Sequence, residues 1–163
     1  MSDVRETFNA LVGELDYPMF IITAAANGER SGCLIGFATQ SSIDPPRFLV
    51  CLSKKNRTYR VAKGTGAVAV HMVPEDATDL VELFGGETGD EVDKFERCAW
   101  HDGPEGLPII DDCSSWFAAH VLGWLDAGDH EAVLLDPFDA NKGHGDQPFP
   151  FHRAKRIEPG HEA

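Results

Sequence analysis

The chain has 163 residues, with 27 acidic and 14 basic side chains and a formal net charge of −13. Its hydrophobic and charged fractions, 42% and 25%, are those of a globular domain and exclude a largely disordered chain or a coiled coil. The negative charge repels phosphate polymers and anionic lipid surfaces, so we expect no nucleic-acid partner and no membrane association.

The spacing of the cysteines and the length of the apolar runs indicate the cellular compartment of the protein. The four cysteines lie far apart without a C-x-x-C pair, so their spacing does not indicate a zinc site. No apolar run reaches the length of about eighteen residues that a membrane helix needs. The N-terminal residues also show no cationic segment followed by an apolar one. We expect a cytoplasmic protein with reduced, structural cysteines and no metal.

The predicted elements are short strands with small helices between them. Apolar residues at helical spacing, preceded by Asp3 and Glu6 as a capping box, predict an N-terminal helix over residues 3–15. Two apolar runs around Asn27-Gly28 predict a hairpin. Further strands are predicted at residues 48–53 and 66–73 and on both sides of residues 126–130.

This succession of short strands predicts a mainly β domain with peripheral helices, either an antiparallel barrel or a sandwich. The chain contains no internal repeat and no linker between equal halves, so residues 1–140 are predicted to form one domain. Residues 141–163 combine Gly, Pro, His and charges without a period, which predicts an extended or partly disordered tail.

A basic segment directly follows the strand predicted at residues 48–53. It consists of Ser53, Lys54, Lys55, Asn56, Arg57 and Thr58. Ammonium, guanidinium and hydroxyl groups can converge there on one phosphate monoester, together with the N–H groups of a helix that Asn56 would cap. A solvated basic loop that balances nearby carboxylates is an equal alternative from the pattern alone.

Two other segments are candidate ligand contacts. The first consists of Gly36, Phe37, Ala38, Thr39 and Gln40. It could follow a flat ring through backbone and side-chain groups, although small residues in a strand more often reflect close strand packing. In the second, Asp129 and His130 lie between two predicted strands and could supply a proton donor or an anion contact, or simply form a turn.

Four sequence pieces occur in a characteristic order between about Tyr17 and Asp139. They are "YPMFIITA", "SSIDPPRFLVCLSKKNRTY", "LVELFGG" with the later "KF" and "GLP", and "AGDH". In order and spacing these pieces resemble the flavin reductase-like family of FMN-binding split barrels. The resemblance implies an antiparallel Greek-key split β-barrel that forms a homodimer and holds FMN near the dimer interface.

The resemblance also implies roles for the candidate residues. Those implied at the FMN phosphate are Lys54, Lys55, Asn56 and Thr58, and Ser53 beside them is a further candidate cofactor contact. The stretch from Gly36 to Gln40 would follow the flavin ring and the ribityl chain. His130 would lie near the nicotinamide or the flavin edge, and Asp129 would orient it.

Two segments depart from the family's pattern. Residues 34–37 read "LIGF" where many relatives have T-A-[SN]-S, so backbone groups would replace hydroxyl contacts to the flavin. The segment after His130 lacks the usual glycine and glutamate, so the substrate side of the last strand differs from that of relatives.

The activity that the resemblance implies is an FMN-dependent NAD(P)H:flavin oxidoreductase. A nicotinamide would pass hydride to flavin N5, and the reduced flavin could supply a monooxygenase. The sequence leaves two alternatives open: an FMN-binding electron carrier without significant NAD(P)H activity, and a dimeric interaction protein with an empty site. It does not distinguish NADH from NADPH, or FMN from FAD or a deazaflavin, and it does not identify the physiological electron acceptor.

Overall fold

The computed structural model describes residues 3–145 and 147–157. Its helices are α1 (Val4–Gly13), α2 (Arg57–Lys63), α3 (Thr78–Gly86) and α4 (Phe151–Ala154), with 3-10 turns at Lys94–Glu96 and Pro104–Gly106. Its strands are β1 (Phe20–Ala26), β2 (Glu29–Ile35), β3 (Ala38–Ser42), β4 (Arg47–Ser53), β5 (Ala67–Met72), β6 (Trp100–Asp102), β7 (Pro108–Ile110), β8 (Trp116–Asp126) and β9 (His130–Asn141). None of the helices in these residues is long and apolar enough to cross a membrane.

Seven of the strands form one sheet in the order β2-β1-β5-β8-β9-β4-β3, and β6 pairs with β7. All of the strand pairs are antiparallel. The prediction of a mainly β domain with peripheral helices is therefore confirmed. The predicted hairpin is also present, because Ala26 pairs with Glu29 across Asn27 and Gly28, whose φ angles of 54° and 78° suit a tight hairpin turn.

A connection of two residues closes this sheet. Strands β2 and β3 lie at opposite edges of the sheet, yet only Gly36 and Phe37 separate them. Two intervening residues allow the Cα atoms of Ile35 and Ala38 to lie at most about 11 Å apart. The two edges must therefore approach each other at this point, and the sheet curls into a barrel.

The segment after β9 differs from the predicted extended or partly disordered tail. Phe149 is buried, its N–H donates to the carbonyl of Val73 at 2.8 Å, and its carbonyl accepts from the N–H of Met19 at 2.8 Å. Helix α4 follows and buries Ala154. The prediction was wrong for these residues because isolated apolar anchors produce no sequence period. Residues 146 and 158–163 of the predicted tail lie outside the described residues.

One buried histidine joins the strands β1, β5 and β7. The Nδ1 atom of His71 lies 2.9 Å from the carbonyl oxygen of Ile21, and its Nε2 atom accepts a hydrogen bond from the N–H of Ile110 at 3.1 Å. Because Nε2 accepts, the proton must be on Nδ1 and the ring must be neutral. Burial lowers the pKa of His71 from its ordinary 6.5 to about 4.

We expect His71 to make folding sensitive to acid. The unfolded chain binds the histidine proton below its ordinary pKa of 6.5 and the folded chain binds it only near 4, so this contribution to stability is complete above 6.5 and is lost as the pH falls through 4. Between about pH 7 and pH 4, wild type should lose about 3 kcal/mol more of its unfolding free energy than His71→Gln. Urea unfolding across this range measures the difference, and equal losses in the two proteins would contradict the assignment.

Candidate functional site

A cavity of about 320 Å³ opens where the barrel meets α3 and α4. This volume lies in the range of small-molecule binding sites. Five of the residues predicted from the sequence line it: Gly36, Phe37, Ser53, Asn56 and His130. The closing connection of the sheet, the end of β4 and the start of β9 therefore meet at one site.

His130 is held between a carboxylate and an aromatic ring. Its Nδ1 atom lies 2.7 Å from Oδ1 of Asp129, and the centroid of its ring lies 5.2 Å from that of Phe37. The hydrogen bond from His130 is the main cause that lowers the pKa of Asp129 below its ordinary value. The His130 side chain is 19% exposed, whereas that of Asp129 is 70% exposed. The His130 ring therefore lines the cavity, while the carboxylate that contacts it is largely exposed to solvent.

The basic segment reaches the cavity only in part. Ser53 pairs with His130 across β4 and β9, and both residues line the cavity. Asn56 caps α2 as predicted, because its Oδ1 atom accepts a hydrogen bond from the N–H of Thr58 at 2.9 Å. The hydroxyl of Thr58 is buried, 2.8 Å from the hydroxyl of Ser31. The structure thus brings Ser53 and Asn56, but not Thr58, to the cavity wall.

The two lysines of this segment also lie away from the cavity wall. The ammonium of Lys54 donates to Oδ1 of Asp126 at 2.7 Å, and this hydrogen bond raises the pKa of Lys54 and lowers that of Asp126. Lys55 is exposed on the surface. Neither lysine is among the residues that line the cavity. Their contact with a phosphate therefore stays a prediction.

The predicted ring-binding stretch also divides in two. Gly36 and Phe37 line the cavity, and a Cβ atom on Gly36 would come within 2.9 Å of the Tyr17 ring. Ala38, Thr39 and Gln40 belong to β3 and are not among the lining residues. The side chains of Thr39 and Gln40 instead bond to nearby backbone carbonyls at 3.3 and 3.2 Å.

The sequence reasoning missed one wall of the cavity. Tyr17 and Phe151 stack with ring centroids 4.5 Å apart and an interplanar angle of 13°, and both residues line the cavity. Lys155 and Ile157, which follow α4, complete this wall. The sequence signal for this wall is weak, because Phe151, Lys155 and Ile157 lie in a segment without a period, which predicts an extended or partly disordered tail.

A buried lysine was also missed. Lys94 lines the cavity although its residue surface is only 4% exposed. Its ammonium donates to the carbonyls of Gly32 at 3.1 Å and Phe84 at 2.9 Å. The sequence signal was the "KF" piece of the family resemblance, to which no role was assigned.

The residues of this cavity fit a phosphorylated flat ring such as a flavin mononucleotide. Met19, Ile35 and Phe37 provide apolar surface, and the hydroxyl of Ser53, the amide of Asn56 and the ammonium of Lys94 are polar groups suited to phosphate. A bound flavin would supply the hydride-accepting chemistry. Among residues 3–145 and 147–157, no group of three or more His, Cys, Asp or Glu residues could hold a metal ion.

Comparison with known proteins identifies the family. The family described as "Flavin reductase like domain" matches residues 12–157. A probable flavin reductase of Rhizobium meliloti is 31% identical over 69% of this chain and 37% of its own length. The FMN reductase (NADH) RutF of Agrobacterium fabrum is 27% identical over 84% of this chain and 79% of its own length. The reductase subunit HsaB of a flavin-dependent monooxygenase of Mycobacterium tuberculosis is 29% identical over 78% of this chain and 67% of its own.

The fold agrees with this match. A flavin reductase domain protein from Arthrobacter sp. FB24 superposes with a TM-score of 0.82, covering 90% of this chain and 89% of that chain at 23% identity. This likeness supports the predicted split-barrel fold.

The match to the probable flavin reductase of Rhizobium meliloti covers little more than a third of the length of that protein. The extent of the family match nevertheless shows that this chain belongs to the flavin reductase-like family, as its four sequence pieces predicted.

Proposed function

We propose that this protein is an NAD(P)H-dependent flavin reductase that uses FMN. The observation that carries the proposal is the convergence of Ser53, Asn56 and His130 on one cavity with an apolar wall. The relative named FMN reductase (NADH) supports the choice of FMN and of a nicotinamide donor.

Each part of the cavity has a distinct task in this proposal. Ser53 and Asn56 would hold the phosphate of the flavin, and Gly36 with Phe37 would face its ring. His130 lies beside Phe37 and is oriented by Asp129, so it would position the nicotinamide against the ring. The protein groups bind and orient the reactants, and no side chain acts as a nucleophile.

Absorbance titration tests the activity. Added FMN should bind stoichiometrically with shifted flavin bands, and anaerobic NADH or NADPH should then bleach these bands. The donor that bleaches faster identifies the preferred nicotinamide. Bands that shift but never bleach would contradict the reductase and support an FMN carrier, whereas the absence of any flavin binding would contradict both.

The His130→Ala variant tests the nicotinamide contact. We expect anaerobic reduction of bound FMN to slow by at least about 10-fold, because the nicotinamide loses its positioning ring. FMN affinity should change little. His120→Ala is a matched control, since His120 bonds to Glu105 at 3.0 Å and stacks on Phe138, outside the cavity lining. Stopped-flow absorbance gives the rates, and an unchanged rate for His130→Ala would remove this residue from the mechanism.

The physiological role is also part of the proposal. The relative named as a reductase subunit of a monooxygenase supports a monooxygenase as the acceptor of reduced flavin. A cytoplasmic location is supported by the four cysteines, all of which are free thiols, because disulfides are rare in that compartment.

The proposed assembly is a homodimer. Helix α1 buries none of its residues, and its apolar side chains include Phe8 at 58% and Leu11 at 62% exposure. An apolar cleft of about 540 Å³ lies elsewhere on the barrel, with Phe20, Met72 and Trp116 in its wall. Apolar surfaces of this kind are typical of protein interfaces.

Light scattering coupled to gel filtration tests the dimer. The expected mass is twice that of the chain, and Leu11→Glu should shift the protein toward monomer because it places a charge on the apolar side of α1. Glu6→Gln, on the same helix, is the control and should leave the mass unchanged. A monomeric wild type at micromolar concentration would contradict the proposal.

A further inference from the structure

Lys94 is an ammonium group buried beside the candidate site. It begins the 3-10 turn Lys94–Glu96, which Asp93 caps by accepting from the N–H of Phe95 at 3.0 Å. From there its side chain reaches the carbonyls of Gly32 and Phe84. The residue is 4% exposed, and burial is the main cause that lowers its pKa from the ordinary value.

The charge of Lys94 has no carboxylate in contact with it. Both of its hydrogen-bond acceptors are neutral carbonyls, and no ion pair in the described part of the chain includes it. Glu87 also lines the cavity, but its carboxylate lies 3.7 Å from the guanidinium of Arg97. A buried cation without an anion in contact with it is costly, and a ligand that supplies the anion would offset this cost.

The charged groups near Lys94 act on it in opposite directions. The nearby thiol of Cys33 stays protonated, because burial raises its pKa to about 11. The carboxylate of Glu87 favours the charged form of Lys94 without touching it, and the nearby guanidinium of Arg57 disfavours it. The cavity wall therefore carries a buried ammonium that no carboxylate contacts, in a protein whose net charge is −13.

We propose that Lys94 binds the phosphate monoester of the ligand in this cavity. An ammonium has three donors, and the two carbonyls occupy two of them, so one N–H remains for a phosphate oxygen. Ser53 and Asn56 line the same cavity and supply further polar groups for the other oxygens. The inference rests on the proposed function, which identifies the ligand as FMN. It assigns Lys94 to the phosphate group, which FMN has and riboflavin lacks.

The test compares FMN with riboflavin, which lacks the phosphate. Lys94→Met keeps the length of the side chain and removes its charge. We expect it to weaken FMN binding by at least about 10-fold, and to change riboflavin binding by less than about 2-fold. Lys63→Met removes the same charge from α2, where Lys63 pairs with Glu131 at 2.8 Å outside the cavity lining, and should change neither affinity.

Fluorescence titration of both flavins measures these affinities, and circular dichroism checks that each variant is folded. An unchanged FMN affinity in Lys94→Met would overturn the proposal. Equal weakening of FMN and riboflavin would also overturn it, because that result indicates a structural role for Lys94 alone.

Wild-type protein provides a second test that does not depend on the folding of a variant. It should bind FMN more tightly than riboflavin, and inorganic phosphate should compete with FMN but not with riboflavin. Equal affinities for the two flavins would overturn the proposal. A separate result would contradict the reductase proposal. If FMN binds through Lys94 but a nicotinamide never bleaches the bound FMN, the proposed activity is contradicted and the role of Lys94 is not.

Discussion

The connection from β2 to β3 is the constraint on which the rest of the structure depends. Two residues must join the opposite edges of a seven-stranded sheet, so the sheet has to close. Close packing comes with this closure: Gly36 lies against Tyr17, and the carbonyl of Phe37 accepts a hydrogen bond from the N–H of Cys51 at 2.8 Å. A larger residue at position 36 would displace the ring that stacks on Phe151.

The same closure assembles the candidate site. It places Phe37 against His130, and the pairing of β4 with β9 places His130 opposite Ser53. Three segments that are distant in sequence thus share one cavity without any long loop. Since these groups lie on or beside paired strands, their geometry is set by the hydrogen-bonded ladder and is more rigid than that of a loop site.

Local sequence signals predicted the elements better than they predicted the contacts. The hairpin at Asn27-Gly28 and the cap at Asn56 follow from short-range chemistry, and the structure contains both. The pairing of Lys54 with Asp126 joins the residue that follows β4 to the last residue of β8, which is distant in sequence, so no local pattern could indicate it. The packing of Phe149 similarly depends on its backbone bonds to residues near β1 and β5, which a search for periodicity does not detect.

The distribution of charge explains why the basic segment was only a partial guide to the site. In the structure Lys54 and Arg57 of this segment pair with Asp126 and Glu29. The cations that follow in α2 are also paired, Arg60 with Asp90 and Lys63 with Glu131. Pairs of this kind near the surface largely cancel and contribute little potential at a distance. Lys94 lies outside the basic segment, and it is buried without a carboxylate in contact with it. The lower dielectric of the protein interior strengthens its electric field. The charge that a ligand in the cavity experiences therefore depends on pairing and burial more than on the density of basic residues along the chain.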